Sequence, residues 1–187
     1  MDLHIIPECY IDTKLIKALI PPTTRYNHQK GCPNVVKVMQ QNLAGDFALG
    51  IIDRDKKELG YADEFDLMYE ISNNIQLFKH KSRNHYLIFI CPAVEKWIIT
   101  NASEANLNLN DFGLPNDFRK LTDITKTSKS EKEDPYSKNF HELFKKLRES
   151  QPKAVQLLIF WVKYLKDNPY DADIDFLRDQ SSIIANP

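Results

Sequence analysis

Two short apolar runs in this chain each end in acid. Leu3-His4-Ile5-Ile6-Pro7 is followed by Glu8, and Phe47-Ala48-Leu49-Gly50-Ile51-Ile52 is followed by Asp53-Arg54-Asp55. Carboxylates gathered at one place repel each other unless a proton or a cation sits between them. Hard divalent ions such as Mg²⁺ take one or two protein carboxylates together with substrate phosphates, so phosphoryl-transfer chemistry is the inference these residues suggest. The spacing Asp53-x-Asp55 suits it, because alternate residues of an extended chain share a face and two carboxylates can then reach one ion. An isolated Asp-x-Asp is common in surface turns after strands. A second acidic strand end, at Glu8, is what a surface-turn explanation has to account for separately.

Both acid sets need strands to carry them. Apolar runs of this length bounded by polar residues predict buried strands at 3–7 and 47–53, and in an open α/β sheet ligands bind just beyond the carboxyl ends of the strands. Between them, Leu15, Ile16, Leu19 and Ile20 predict a helix over about 12–20, with Asp12 as its N-cap and Pro21-Pro22 as its stop. A loop at 23–34 and a second helix over about 34–43 follow, and Gly45-Asp46 turns the chain into the second strand. Residues 63–72 carry a helical pattern (Phe65, Leu67, Met68, Ile71). Ile75-Gln76-Leu77-Phe78 and 85–91 predict two strands, or a strand and its approach. Pro92 at a first helical position opens a helix with Val94, Trp97 and Ile98 on one face and Glu95 on its first turn.

These elements predict an α/β core over 1–100, with a mostly parallel sheet flanked by helices. A polar loop or linker over 101–135 follows, then a helical C-terminal segment over 136–187 built on Phe140, Leu143, Phe144 and Leu147 and on Val155, Leu158, Ile159, Val162 and Leu165. No internal repeat is visible.

The whole chain narrows the field. With 187 residues, 42% hydrophobic and 27% charged, it has ordinary globular composition. The longest uncharged apolar stretches, 86–91 and 155–162, fall far short of the ~20 residues that span a bilayer, and the start Met1-Asp2-Leu3-His4 lacks a basic leader segment. The expectation is a cytoplasmic protein with no membrane partner. Cys9, Cys32 and Cys91 form neither a disulfide framework nor a zinc-ligand pattern. A net charge of −1 argues against coating nucleic acid by bulk electrostatics, so any such contact must come from local patches. The scattered glycines contain no G-x-x-x-x-G-K loop and no Gly-x-Ser-x-Gly elbow, which removes the ATPase and serine hydrolase classes.

A glutamate after the first strand and Asp-x-Asp after a later one is similar to the signature of the Toprim domain, shared by topoisomerases, primases, recombination-repair proteins and OLD-family nucleases. Glu8, Asp53 and Asp55 match it; the glycine that follows the family's glutamate is here Cys9. Cys91-Pro92-Ala93-Val94-Glu95-Lys96-Trp97 resembles the Pro-x-x-Glu-x-Trp segment of stand-alone Toprim-like proteins of the RloB type, encoded beside ATPases in bacterial defence loci. The resemblance covers roughly 3–100 and implies a Toprim-like, Rossmann-like core. It implies that Asp53 and Asp55 bind Mg²⁺ or Mn²⁺, with Glu8 as general acid/base or further ligand and Glu95 as an additional ligand; Asp12 falls where some of these proteins carry a second acid, against which stands its N-cap position. The expected activity is metal-dependent cleavage of DNA or RNA by an effector of anti-phage defence, working with an ATP-driven partner that is a separate protein. The cation would neutralise charge on the phosphate and acidify a bound water, while a carboxylate relays the proton.

Other residues have competing explanations. Lys79, Lys81 and Arg83, with His80 and His85, form the densest basic cluster and are expected to contact nucleic acid near the active edge, although a polar loop between apolar runs is charged for solubility alone. Asp63, Glu64 and Asp66 suit a late acid of the site and, equally well, a solvated helix start. The run 171–175 lacks the glycine and final glutamate of a calcium loop and is expected to be a solvated turn. The rival to the nuclease is a non-catalytic module that uses the same fold to bind a partner or a nucleotide, which Cys9 and the near-neutral charge favour.

Overall fold

The computed structural model describes residues 1–54, 60–72 and 74–186. Strands β1 (Ile5–Pro7), β2 (Ala48–Asp53), β3 (Phe65–Ile71), β4 (Ile75–His80) and β5 (His85–Ile90) form one sheet in the order β1-β2-β5-β4-β3. β1, β2 and β5 run parallel, with Ile5 opposite Leu49 and Ala48–Asp53 opposite His85–Ile90. β4 and β3 complete the sheet as an antiparallel hairpin. The carboxyl ends of the three parallel strands therefore share one edge.

The central strands are apolar on both faces because both are covered. Ile5, Leu49, Ile51, Ile88 and Ile90 join one core with residues of α1 (Tyr10–Leu19), α3 (Val94–Glu104), α4 (Phe118–Lys126), α5 (Ser137–Ser150), α6 (Lys153–Asp167) and α7 (Ile174–Ala185). Ile6, Ala48, Ile52 and Leu87 face the other way, against α2 (Cys32–Lys37), which widens into a looser turn over Val38–Asn42. Gly50 makes this second packing possible: a Cβ there would lie 2.7 Å from Leu87 Cδ2 and 3.0 Å from Val35 Cγ1. After α1 the chain returns along the outer edge of β1, with Asn27 N donating to Ile5 O and Gln29 N to Pro7 O, each at 3.0 Å. That return brings the start of α2 beneath Glu8.

The α/β core with helices following it is as expected, and several elements differ. The 63–72 helix is instead strand β3, preceded by a 3-10 turn over Gly60–Glu64. Phe65, Tyr69 and Ile71 suit a pleated surface, and pairing with β4 outweighs a weak helical period. α1 begins at Tyr10 with Cys9, not Asp12, as its N-cap. Asp12 occupies the third helical position: its Oδ2 accepts from Cys9 N at 3.1 Å, and Cys9 Sγ accepts from Asp12 N at 3.4 Å, a capping box with a thiol in the hydroxyl's place. α3 starts at Val94, past Pro92. The expected linker 101–135 contains α4, capped by Asp117, with Leu121 fully buried. The acidic run at 171–175 supplies Asp173 as the N-cap of α7, and Trp161 Nε1 donates to Ser181 Oγ at 2.8 Å to tie α7 to α6. Among the described residues no helix is long and apolar enough to cross a membrane.

Candidate functional site

β1 and β2 end side by side. Glu8 N donates to Ile51 O at 3.0 Å and so carries the parallel ladder one residue past β1. The Glu8 side chain, 2% exposed, turns back across this junction, and its Oε2 accepts from Asp53 N at 3.1 Å and from Cys32 Sγ at 2.6 Å. One carboxylate thus fixes the last residue of β2 and the first of α2. Glu95, buried on the first turn of α3, accepts a hydrogen bond from Thr125 Oγ1 of α4.

Asp12 lies fully buried behind these acids. Burial lifts its carboxyl, and the charges of Glu8 and Glu95 lift it further, to about 7 against the hydrogen bonds from Cys9. Its Oδ1 has no hydrogen-bond partner among the described residues. Burial, followed by the Asp12 charge, also raises the Cys9 thiol well above its usual value, so Cys9 is a neutral cap and not a nucleophile.

Glu8, Asp53 and Glu95 line one cleft of about 910 Å³, within the ~300–1,000 Å³ of ordinary ligand pockets. Tyr10 and His28 form one wall; Phe118 and the segment 125–129 form another. The second wall belongs to the stretch expected to be a linker. It is tied down by a buried ion pair, in which Asp134 Oδ2 accepts from Lys14 Nζ of α1, from Ser128 Oγ and, at 3.2 Å, from Lys129 N. Despite burial, the hydrogen bonds from Lys14 and Ser128 hold the Asp134 carboxyl below its usual range.

Of the residues singled out from sequence, the structure brings Glu8, Asp53 and Glu95 together; Asp55 lies outside the described residues. The basic cluster is elsewhere. Lys79 is near the end of β4, and Lys81 and Arg83 lie in the β4–β5 turn beside His85, which pairs with Ala48 at the start of β2, whereas Asp53 pairs with Ile90. Five strand steps of ~3.3 Å put the turn some ~17 Å from the acidic edge. There Lys81 Nζ donates to Asp63 O at 3.1 Å and Arg83 sits 6.0 Å from the Tyr61 ring centre. Closeness in sequence misplaced this cluster because an antiparallel hairpin carries its turn to the far end of the sheet. Sequence reasoning also missed Cys32, Tyr10, His28, Phe118 and 125–129; none has a spacing signature, and only the fold assembles them.

Among the described residues, no three Asp, Glu, His or Cys side chains are placed to hold an ion by themselves. The acids do fit the sparser mode of Mg²⁺ and Mn²⁺, in which one or two carboxylates share the ion with water and substrate phosphate. Glu8, Asp53 and Glu95 lining one cleft are the residues such an ion would use. Comparison with protein-family models, with curated protein sequences and with solved structures returned no match for this chain.

Proposed function

We propose that this chain is a Toprim-like, divalent-cation-dependent phosphodiester hydrolase. The observation that carries the reading is the meeting of Glu8 and Asp53 at adjacent carboxyl strand ends, joined by the 3.1 Å hydrogen bond, at the floor of a cleft that also receives Glu95. Asp53 and Glu95 are the residues to hold Mg²⁺ or Mn²⁺, with Asp55 joining them on the strength of the Asp-x-Asp spacing alone. The ion would supply charge neutralisation at phosphate and a more acidic bound water. Glu8 holds the Asp53 backbone in place, and its position beside Asp53 suits it to take a proton from an attacking water. Cys9, where the Toprim signature has glycine, is no obstacle: its φ of −137° and ψ of 175° are ordinary extended values that need no glycine.

The setting in anti-phage defence, with DNA or RNA as substrate and a separate ATPase as partner, rests on the resemblance of the Glu8, Asp53-x-Asp55 and Pro92-x-x-Glu95-x-Trp97 motifs to the RloB type. A second reading, a binding module that keeps the fold without catalysis, draws on the absence of a three-ligand group among the described residues. Incubating plasmid DNA and total tRNA with the purified chain and Mg²⁺ or Mn²⁺ separates the two. Cation-dependent cleavage lost in both Glu8→Ala and Asp53→Ala is the expected result. Binding of either nucleic acid without cleavage under any cation favours the module.

A further inference from the structure

The cleft holds more than acids. Tyr10 opens α1 immediately after the Cys9 cap, and its ring lies on that of His28 with centroids 4.2 Å apart and planes 19° from parallel. His28 is held in this pose by a 3.0 Å hydrogen bond between its Nδ1 and Thr13 Oγ1, and burial lowers its pKa, so the ring is neutral near pH 7. Phe118, at the first position of α4, lines the same cleft. Tyr10 and Phe118 remain 37% and 45% exposed, two of the few large apolar side chains left in water. Exposed aromatic surface costs free energy, and of the four exposed aromatic side chains among the described residues, Tyr10, Phe118, Tyr170 and Phe176, two line this one cleft. Lys30, Lys126 and Lys129 line the same space, bringing positive charge to a site whose floor is acidic.

We propose that this cleft binds single-stranded nucleic acid by stacking unpaired bases on the Tyr10–His28 pair and on Phe118, while Lys30, Lys126 and Lys129 take the phosphates. The inference deepens the hydrolase reading by naming its substrate class, and it rests on that reading for what happens to the strand once bound. Stacking on aromatic rings needs the flat face of a base, which a duplex hides. A base held between the two walls leaves its backbone at the floor, where Glu8, Asp53 and Glu95 lie. Duplex DNA, with bases stacked inside and a wide charged surface outside, has nothing to offer Tyr10 or Phe118.

Binding measured in EDTA, where no cation-dependent cleavage proceeds, tests this separately from catalysis. Fluorescence anisotropy with labelled dT₁₅, rU₁₅, a dT₁₅ of abasic spacers and a 15-base-pair duplex is run on the full chain at low salt, for wild type, Tyr10→Ala, Tyr10→Phe and Phe118→Ala. Expected are binding of dT₁₅ or rU₁₅ about tenfold or more tighter than of duplex, a loss of about tenfold in Tyr10→Ala and in Phe118→Ala, and retention in Tyr10→Phe. The ratio of dT₁₅ to rU₁₅ affinity then tells a DNA site from an RNA site. The abasic strand should bind wild type about tenfold more weakly than dT₁₅ does, a comparison made on wild type alone that holds whether or not the variants fold well. Equal affinity for duplex and single strand, equal affinity for the abasic strand, or no binding overturns the proposal. A parallel Mn²⁺ cleavage assay reads the other claim: stacking-dependent binding without cleavage removes the hydrolase and leaves the strand site, and cleavage indifferent to Tyr10 and Phe118 does the reverse.

Discussion

A carboxyl lifted to about 7 inside a helix turn makes stability depend on pH in the sense opposite to an ion-paired acid. In the folded chain Asp12 keeps its proton up to about 7, whereas the unfolded chain releases it near the usual 3.8. Between those values the folded state binds more protons, so the Asp12 contribution to stability falls as pH rises through the window. Asp12→Asn keeps an acceptor for Cys9 N and removes the titration. Buried His80 and His85, whose pKa values burial lowers, add a slope of the other sign below about 6.5, so the readout is the difference between the two proteins. In EDTA, the melting temperature of wild type should drop relative to Asp12→Asn between about pH 4 and about pH 7. Parallel melting curves across that window would contradict the lift assigned to Asp12 by burial first and by the Glu8 and Glu95 charges second.

One wall of the cleft depends on a contact 120 residues apart in sequence, from Lys14 on α1 to Asp134 ahead of α5. Removing one partner of a buried pair leaves the other charge buried and uncompensated, at a cost of about 3–5 kcal/mol. Asp134→Ala should lose about that much in urea denaturation, and amide exchange over 127–130 should speed up. Wild-type stability and exchange in this variant would show that the wall stands without the pair. The same contact explains what the sequence concealed. Strands β1, β2 and β5 are legible because continuous apolar runs between turn residues mean burial on both faces, and Glu8 and Asp53 are legible as the acids that close two of them. β3 is not, because Leu67, Met68 and Ile71 imitate a helical period while the β4 pairing that decides the matter is non-local. The wall at 116–135 is masked by its polar composition, since Leu121 is its single fully buried apolar anchor after Leu114 and much of the rest of its order comes from polar ties to Lys14 and Glu95. A thiol as N-cap hid the true start of α1 and moved Asp12 from the cap to the acidic cluster.

At the scale of the molecule, the sheet separates two polar ends. The carboxyl ends of β1, β2 and β5 carry Glu8, Asp53 and the aromatic cleft; the other end carries the β4–β5 turn with Lys81 and Arg83. Residues this far apart with no shared partner act independently to a good approximation. The combined variant Lys79→Ala, Lys81→Ala, Arg83→Ala should therefore leave nucleic-acid binding and cleavage within about twofold of wild type. A tenfold loss would place the substrate path across the far end of the sheet. The proposed cation site lies at the acidic end alone, and Mn²⁺ binding followed by electron paramagnetic resonance, in which free aqueous ion is counted as protein is added, tests it. Saturable uptake of about one ion per chain is expected, lost in Asp53→Asn and kept in the Lys79, Lys81, Arg83 variant. Uptake equal in wild type and Asp53→Asn would contradict it.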